Sequence, residues 1–171
     1  VQAGDAVVGI ASTGLQSSGF SLVRHICFEQ QGLKVETYVP EFGRTLGEEL
    51  LEPTGVYTAA VLDLMSRFDV RGVANISGGG LPENLPRAMG DGLSAIVRKG
   101  SWEAPPVFAW LQSLGKVDEA EMFRTFNMGI GMAVIVPPGE ADGVVARLAE
   151  LGWKSWPIGE IRAGEKGVVF A

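Results

Sequence analysis

Three consecutive glycines, Gly78 to Gly80 in NISGGGLPENLPRAM (75–89), are the residues whose type and spacing first suggest chemistry. Glycine loses more backbone entropy on folding than any other residue, so three together weaken a fold unless the backbone must bend sharply or approach something closely. Three further glycine-bearing loops accompany this one: STGLQSSGF (12–20), LEPTGVY (51–57) and FNMGIGM (126–132). The first loop and the triple-glycine loop each follow an apolar run and enter a helical pattern. There the free amides of a helix N-terminus point outward and the dipole favours an anion. Glycines let an anion approach amides that a Cβ would screen, and successive amides form a nest. A tight strand-to-helix turn explains any one loop. Four in so short a chain, flanked by hydroxyls and amides, point to a site for a phosphate-bearing ligand. The candidate residues are Ser17, Ser18 and Gly19, then Gly78, Gly79, Gly80 and Asn84, then Asn127 and Gly129.

Other chemistries find less support. Neither G-x-x-x-x-G-K-[ST] nor G-x-G-x-x-G after a strand occurs, and no glycine loop holds a lysine; Arg87 and Arg124 are the nearest cations. The carboxylates of GEELLE (Glu48, Glu49, Glu52) read as a solvated helix face, and those of DEAE (118–121) as capping and dipole complements. One cysteine and one histidine exclude an intrachain disulfide and a Cys/His zinc site, and no metal ligands are assigned. His25 falls within an amphipathic helical pattern, which favours a structural role over a Ser-His or Cys-His pair. The four tryptophans, outside the loops, are read as core or edge packing.

The elements that must position these loops follow from periodicity. AVVGIA (6–11), Val70–Ile76, Leu93–Val97 and Ile130–Val136 read as strands, with two short strands, WPIGEI and VVFA, joined by the turn RAGEKG at the end. Helices are expected over 20–31, with Ser17 or Ser18 as N-cap and Gly32 as stop, and in TLGEELL as far as Pro53. Another is expected over 56–68, with Val56, Ala60, Leu64, Met65 and Phe68 on one face. Residues 33–43 read as loop, and LPENLPRAM as a short helical segment. Further helices run from Pro106 to Leu114 with Gly115 as stop, from a capping box at Asp118 and Glu121 to Thr125, and over 140–151. Alternating strands and helices predict an α/β or α+β domain with a mixed sheet. At 171 residues and 46% hydrophobic, residues 1–171 suit a single domain with a sizeable core. The net charge of −6 and scattered basic residues argue against a nucleic-acid surface. No apolar run approaches a membrane span, and no secretory signal opens the chain, so a cytoplasmic protein is expected.

In order along the chain, GLQSSGFSLVRH, LLEPTGVY, SGGGLPENLPR, MFRTFNMGIGM and IGEI resemble the C-terminal half of the phosphoribosylformylglycinamidine cyclo-ligase (aminoimidazole ribonucleotide synthetase) family, over about Asp5 to Ile161. The resemblance implies a three-layer α/β/α domain of partly ferredoxin-like topology, with an N-terminal ATP-binding domain absent from this chain. It implies ATP and Mg²⁺ as cofactors, bound mainly by that missing half, a small-molecule nucleotide substrate, and a homodimer as the full-length protein. The implied reaction belongs to purine biosynthesis. ATP activates the formamide oxygen of formylglycinamidine ribonucleotide, and a substrate nitrogen closes the imidazole ring. The chain alone is then expected to be inert. Two markers depart from the family pattern: Gln16 stands where the family has histidine, and Gly55 where it has arginine. Sister ATP-dependent enzymes of the same architecture (thiamine-monophosphate kinase, selenophosphate synthetase, the hydrogenase-maturation dehydratase) and a non-catalytic paralogue are the alternatives.

Overall fold

The computed structural model describes residues 1–171. Strand β1 (Ala6–Ala11) is followed by α1 (Phe20–Arg24), which continues unbroken as a π-helical turn, His25–Gln30. A two-residue hairpin, β2 (Tyr38–Val39) and β3 (Arg44–Thr45), leads into α2 (Leu46–Leu50) and α3 (Thr58–Arg67). Then come β4 (Gly72–Asn75), α4 (Gly80–Asn84) with a 3₁₀ extension to Ala88, and β5 (Leu93–Val97). Helices α5 (Pro106–Gly115) and α6 (Glu119–Thr125) precede β6 (Ile130–Val136), α7 (Ala141–Glu150), β7 (Ser155–Ala163) and β8 (Gly167–Phe170).

The sheet runs β4-β6-β1-β7-β5-β8. Its first four strands and two helices, β1-α3-β4 and β6-α7-β7, form a ferredoxin-like split βαβ arrangement. β5 and β8 widen it, with β5 antiparallel to β7 and parallel to β8. Period-two alternation along β1 and β6 sends side chains to opposite faces. Val7, Ala133 and Ile135 pack against Leu81, Leu85 and Met89 of the α4 segment, while Val8, Ile10, Val134 and Val136 pack against α3 and α7 through Ala60, Leu64, Val144 and Leu148. A third apolar cluster, from Leu15 through Val23, Ile26, Leu46, Phe108 and Leu111 to Phe126, joins α1, α2, α5 and α6 beside the sheet. The mixed three-layer α/β/α class inferred from the sequence is the one observed.

Several local expectations need correction. The α1 N-cap is Gly19 in the left-handed region (φ 82°), and neither Ser17 nor Ser18 caps it. The capping box lies at Thr45 and Glu48, where both reciprocal bonds form; Asp118 makes no side-chain cap bond. Val56 and Met65 are exposed, so only Ala60 and Leu64 of the expected α3 stripe are fully buried. The two terminal strands, read as joined by the turn RAGEKG, are not neighbours, because β5 lies between them, and the first runs on to Ala163. Residues 33–43 contain β2. Lys116 (φ 50°) rather than Gly115 takes the left-handed stop position after α5, and Gly115 instead lets Ile26 approach closely.

Candidate functional site

The antiparallel registers place three of the four glycine loops at one end of the sheet, and side chains tie the fourth, 51–57, to them. Ala11 lies opposite Ile130 and Asn75 opposite Met132, so the carboxyl ends of β1 and β4 flank the start of β6. The loop after β1 and the loop before β6 are joined by the Ser12 amide, which donates to Gly129 O (2.9 Å), and by Asn127, whose Nδ2 donates to Gly14 O (2.9 Å) and Leu15 O (3.2 Å). Asn127 Oδ1 accepts from the Gly129 amide (2.8 Å). Gly19 permits the same contact from the other side, since a Cβ there would strike the Phe126 ring.

The triple glycine divides its tasks. Gly80 (φ 58°) has no room for a side chain, because a Cβ would overlap Phe123 O and lie 2.8 Å from Phe126 O. Gly79 (φ 93°) is the N-cap of α4, and a Cβ there would meet Glu83. Gly78 is exposed with nothing near its Cβ position. Asn84, buried beneath the turn, donates from Nδ2 to the carbonyls of Ser77 (3.3 Å), Gly78 (3.1 Å) and Gly80 (2.8 Å). Both asparagines thus spend their donors on backbone carbonyls and set the shape of the loops. Ser17 is exposed and Ser18 buried at the rim of the first loop.

The loop 51–57 joins through Gln16 and Tyr57. Gln16 Oε1 accepts from Tyr57 OH (2.8 Å), the Gly55 amide (3.3 Å) and the Thr13 amide (3.3 Å), with Thr13 Oγ1 3.4 Å away. Thr13 Oγ1 also lies 2.6 Å from Pro53 O. Tyr57 is buried, which pushes its hydroxyl up to about 12, against the hydrogen bond to Gln16. It packs on Trp153 at 4.6 Å, and Gly55 makes this possible, since a Cβ there would sit 2.9 Å from the Tyr57 ring and 3.0 Å from Trp153 Cη2. A cleft of about 480 Å³ opens beside this loop between α3 and β4, lined by residues including Gly55, Tyr57, Asn75 and Met132.

Sequence reasoning passed over three of these contributors. Glu49 is buried and bonded to Arg44 (2.8 Å) beside Gly14, where a solvated helix face was expected; the Arg44 side chain also holds Glu52 (2.6 Å). Trp102 Nε1 donates to Met128 O (2.8 Å) and so supports the fourth loop, and Tyr57 locks the second. The signal for Tyr57 lay in Gly55 and Gly131, both of which leave space for its ring or hydroxyl. His25 is exposed and pairs with Glu29 (2.7 Å). Arg87 is exposed, and exposed Arg124 lines a smaller cleft of about 290 Å³ with Lys99, Pro82 and Phe170. No three His, Cys, Asp or Glu side chains converge as a metal site would require.

The chain can be placed among known proteins on this geometry. The family described as AIR synthase related protein, C-terminal domain, matches residues 2–171. A phosphoribosylformylglycinamidine cyclo-ligase of Caldanaerobacter subterraneus subsp. tengcongensis is 48% identical over 98% of the chain and 49% of its own length. One of Pseudothermotoga lettingae is 49% identical over 97% and 48%. The chain spans about half the length of the curated relatives it matches. Among solved structures, thiamine-monophosphate kinase from Stenotrophomonas maltophilia K279a superposes with a TM-score of 0.65 at 19% identity, over 99% of this chain and 50% of that one. The hydrogenase maturation protein HypE in complex with ATP gives 0.61 at 18%, over 99% and 48%. These two share the fold. The chain belongs to the AIR synthase related protein family, matching its C-terminal domain.

Proposed function

We propose that this chain forms one wall of the substrate cleft of an ATP-dependent phosphoribosylformylglycinamidine cyclo-ligase. The observation that carries the reading is the convergence of the four ordered glycine loops, three at one end of the sheet and the fourth tied to them, in a chain 48% identical to a protein of that name. Residues 1–171 act as the C-terminal domain of a longer homodimeric, cytoplasmic polypeptide whose other half holds most of the ATP site. HypE, of the same fold, has been solved with ATP, which supports nucleotide chemistry on this architecture.

In the proposed reaction the formamide oxygen of formylglycinamidine ribonucleotide takes the terminal phosphoryl group of ATP, releasing ADP. A substrate nitrogen then attacks the activated carbon, the C–O bond breaks, inorganic phosphate leaves and the imidazole ring of aminoimidazole ribonucleotide closes. No protein nucleophile is needed, so catalysis rests on positioning and charge stabilisation. Amides and hydroxyls of Ser17, Ser18, Gly19, Gly78 and Gly79 face phosphate or ribose groups, while Gly80, Asn84, Asn127 and Gly129, whose amide is taken by Asn127, hold the loops that present them. Mg²⁺, which takes one or two carboxylates together with substrate phosphates and waters, is held mainly by the other half, and no step through the metal is assigned to this chain.

The test is ADP release by the full-length protein with and without formylglycinamidine ribonucleotide. Substrate-dependent release with aminoimidazole ribonucleotide as product supports the reading. No release from a folded dimer overturns it and favours a paralogue with another substrate. Gly79→Val and Asn127→Ala, introduced into the active protein, are expected to weaken substrate affinity at least tenfold; unchanged affinity removes the loops from the site.

A further inference from the structure

Gln16 combines a scaffold role with two features that the scaffold does not require of it, its backbone conformation and its outward amide group. Its backbone is in the left-handed region (φ 58°), which a non-glycine residue occupies only where its surroundings enforce it. Its Oε1 gathers three donors, two of them the main-chain amides of Thr13 and Gly55. Main-chain amides can only donate, so the atom facing them is the oxygen, and the orientation of the carboxamide is thereby decided. The Nε2 group, on the other side, has no hydrogen-bond partner in the protein. It is not fully sealed from solvent either, unlike the unpaired hydroxyls of Ser12 and Ser155. A half-buried amide group that keeps two donors unpaired is poorly placed for stability and well placed for an incoming acceptor.

The lock on this group is Tyr57. Its hydroxyl reaches both Gln16 Oε1 and Ala11 O at 2.8 Å, sharing one proton between two acceptors. It reaches them across Gly131, where a Cβ would coincide with the hydroxyl and lie 3.1 Å from Gln16 Nε2. Trp153 and Gly55 hold the phenol ring from behind. Glycine at 131 and at 55 thus serves the tyrosine, and the tyrosine serves the glutamine.

We infer that Gln16 is a ligand-contacting residue whose Nε2 group donates a hydrogen bond to an acceptor oxygen of the substrate, and that Tyr57 is the residue that positions it. The inference rests on the substrate proposed above, whose acceptors include the oxygens of its ribose phosphate and its formamide oxygen.

The experiment compares the full-length wild type with Gln16→Glu, Gln16→Met, Gln16→His and Tyr57→Phe, using steady-state kinetics with ribose 5-phosphate as a competing ligand and melting temperature as a folding control. Gln16→Glu keeps the oxygen that Thr13, Gly55 and Tyr57 donate to, and replaces only the outward donor by an anionic acceptor. A purely structural Gln16 leaves this variant active; the donor role lowers kcat/KM by about 100-fold with little change in melting temperature. Gln16→Met, which keeps length and lacks any donor, loses about tenfold. Gln16→His, which restores an N–H, stays within about fivefold of wild type. Tyr57→Phe loses about three- to tenfold in the wild-type background and nothing further in Gln16→Glu, the non-additivity expected of a residue acting through another. If the Gln16→Glu loss appears as weaker ribose 5-phosphate inhibition, the acceptor lies on the ribose phosphate. If it appears in kcat with that inhibition unchanged, the acceptor is the formamide oxygen. Wild-type kcat/KM in both Gln16→Glu and Gln16→Met overturns the inference. A wild-type protein that does not turn the substrate over overturns the cyclo-ligase reading alone. The Gln16 assignment is then read from ribose 5-phosphate affinity, and an affinity unchanged by Gln16→Glu overturns it.

Discussion

Gly78, Gly79 and Gly80 look alike in the sequence and differ in what surrounds them. Gly80→Ala must place a methyl group into the carbonyls of Phe123 and Phe126 at a positive φ, and is expected to destabilise the fold by about 3 kcal/mol in urea unfolding. Gly78→Ala meets nothing and has no positive φ, so its stability should be unchanged. Any loss of substrate affinity in Gly78→Ala then reports ligand approach alone. Asn84→Ala removes the donor shared by three carbonyls and should cost about 2–3 kcal/mol, read in the same way. Gly55 and Trp153 form a second matched pair: Gly55→Arg should unfold the loop in the wild type and be tolerated better beside Trp153→Ala, a coupling that a double-mutant cycle measures. None of these distinctions can be read from glycine spacing. They depend on which carbonyl or ring arrives opposite each position, and those come from α6, β6 and the turn before β7.

Among the elements, strands were the most legible. Leu93–Val97 and Ile130–Val136 emerge with the boundaries that their apolar runs suggest, because both are buried deep in the sheet and flanked by turn residues. Helix starts were less legible, since Asp118 had the right spacing without making the bond, and Thr45 made it after a hairpin too short to read as one. Thr45→Ala should therefore cost ~1 kcal/mol and Asp118→Ala less, by thermal unfolding. The α3 face was misjudged at Val56 because the helix starts only after Tyr57, and at Met65 because polar Asp63 holds the helix against α7: Arg147 bonds Asp63 at 2.6 and 2.7 Å, and Arg67 joins from the same helix. The Arg147 guanidinium, with Arg67, lowers the Asp63 carboxyl to about 2 from 3.8. A group whose folded value is depressed contributes stability that is fully present above its unfolded value and lost as pH falls through the folded one. The stability gap between wild type and Asp63→Asn should thus be largest near neutrality and shrink between about pH 4 and about pH 2, as followed by circular dichroism.

For the whole molecule, the alternation of strands and helices made the class legible and left the strand order open, because no local signal says that β5 enters between β7 and β8. The site was half legible: the four loops were visible as glycine clusters, but nothing local marked Tyr57 within one of them as a lock, and Glu49 was hidden in a stretch that read as a solvated helix face. Cys27, fully buried in the lateral helical cluster and pushed up to about 11 by burial, should resist thiol reagents at pH 8 in the native protein and react once it unfolds. The central position of β1 has a further consequence. Val8 pairs with Val134 on one side and with Pro157 on the other, so the first strand made finds both partners only in the last third of the chain. At about 5–20 residues per second, a ribosome takes on the order of 10 s to supply them. During that interval Val7, Val8 and Ile10 stay unpaired and apolar, dependent on chaperones or on the tunnel's shelter. The nascent chain should accordingly resist protease late and all at once, after Ile161 emerges, and a stop before Ser155 should leave a product that aggregates rather than a smaller folded domain.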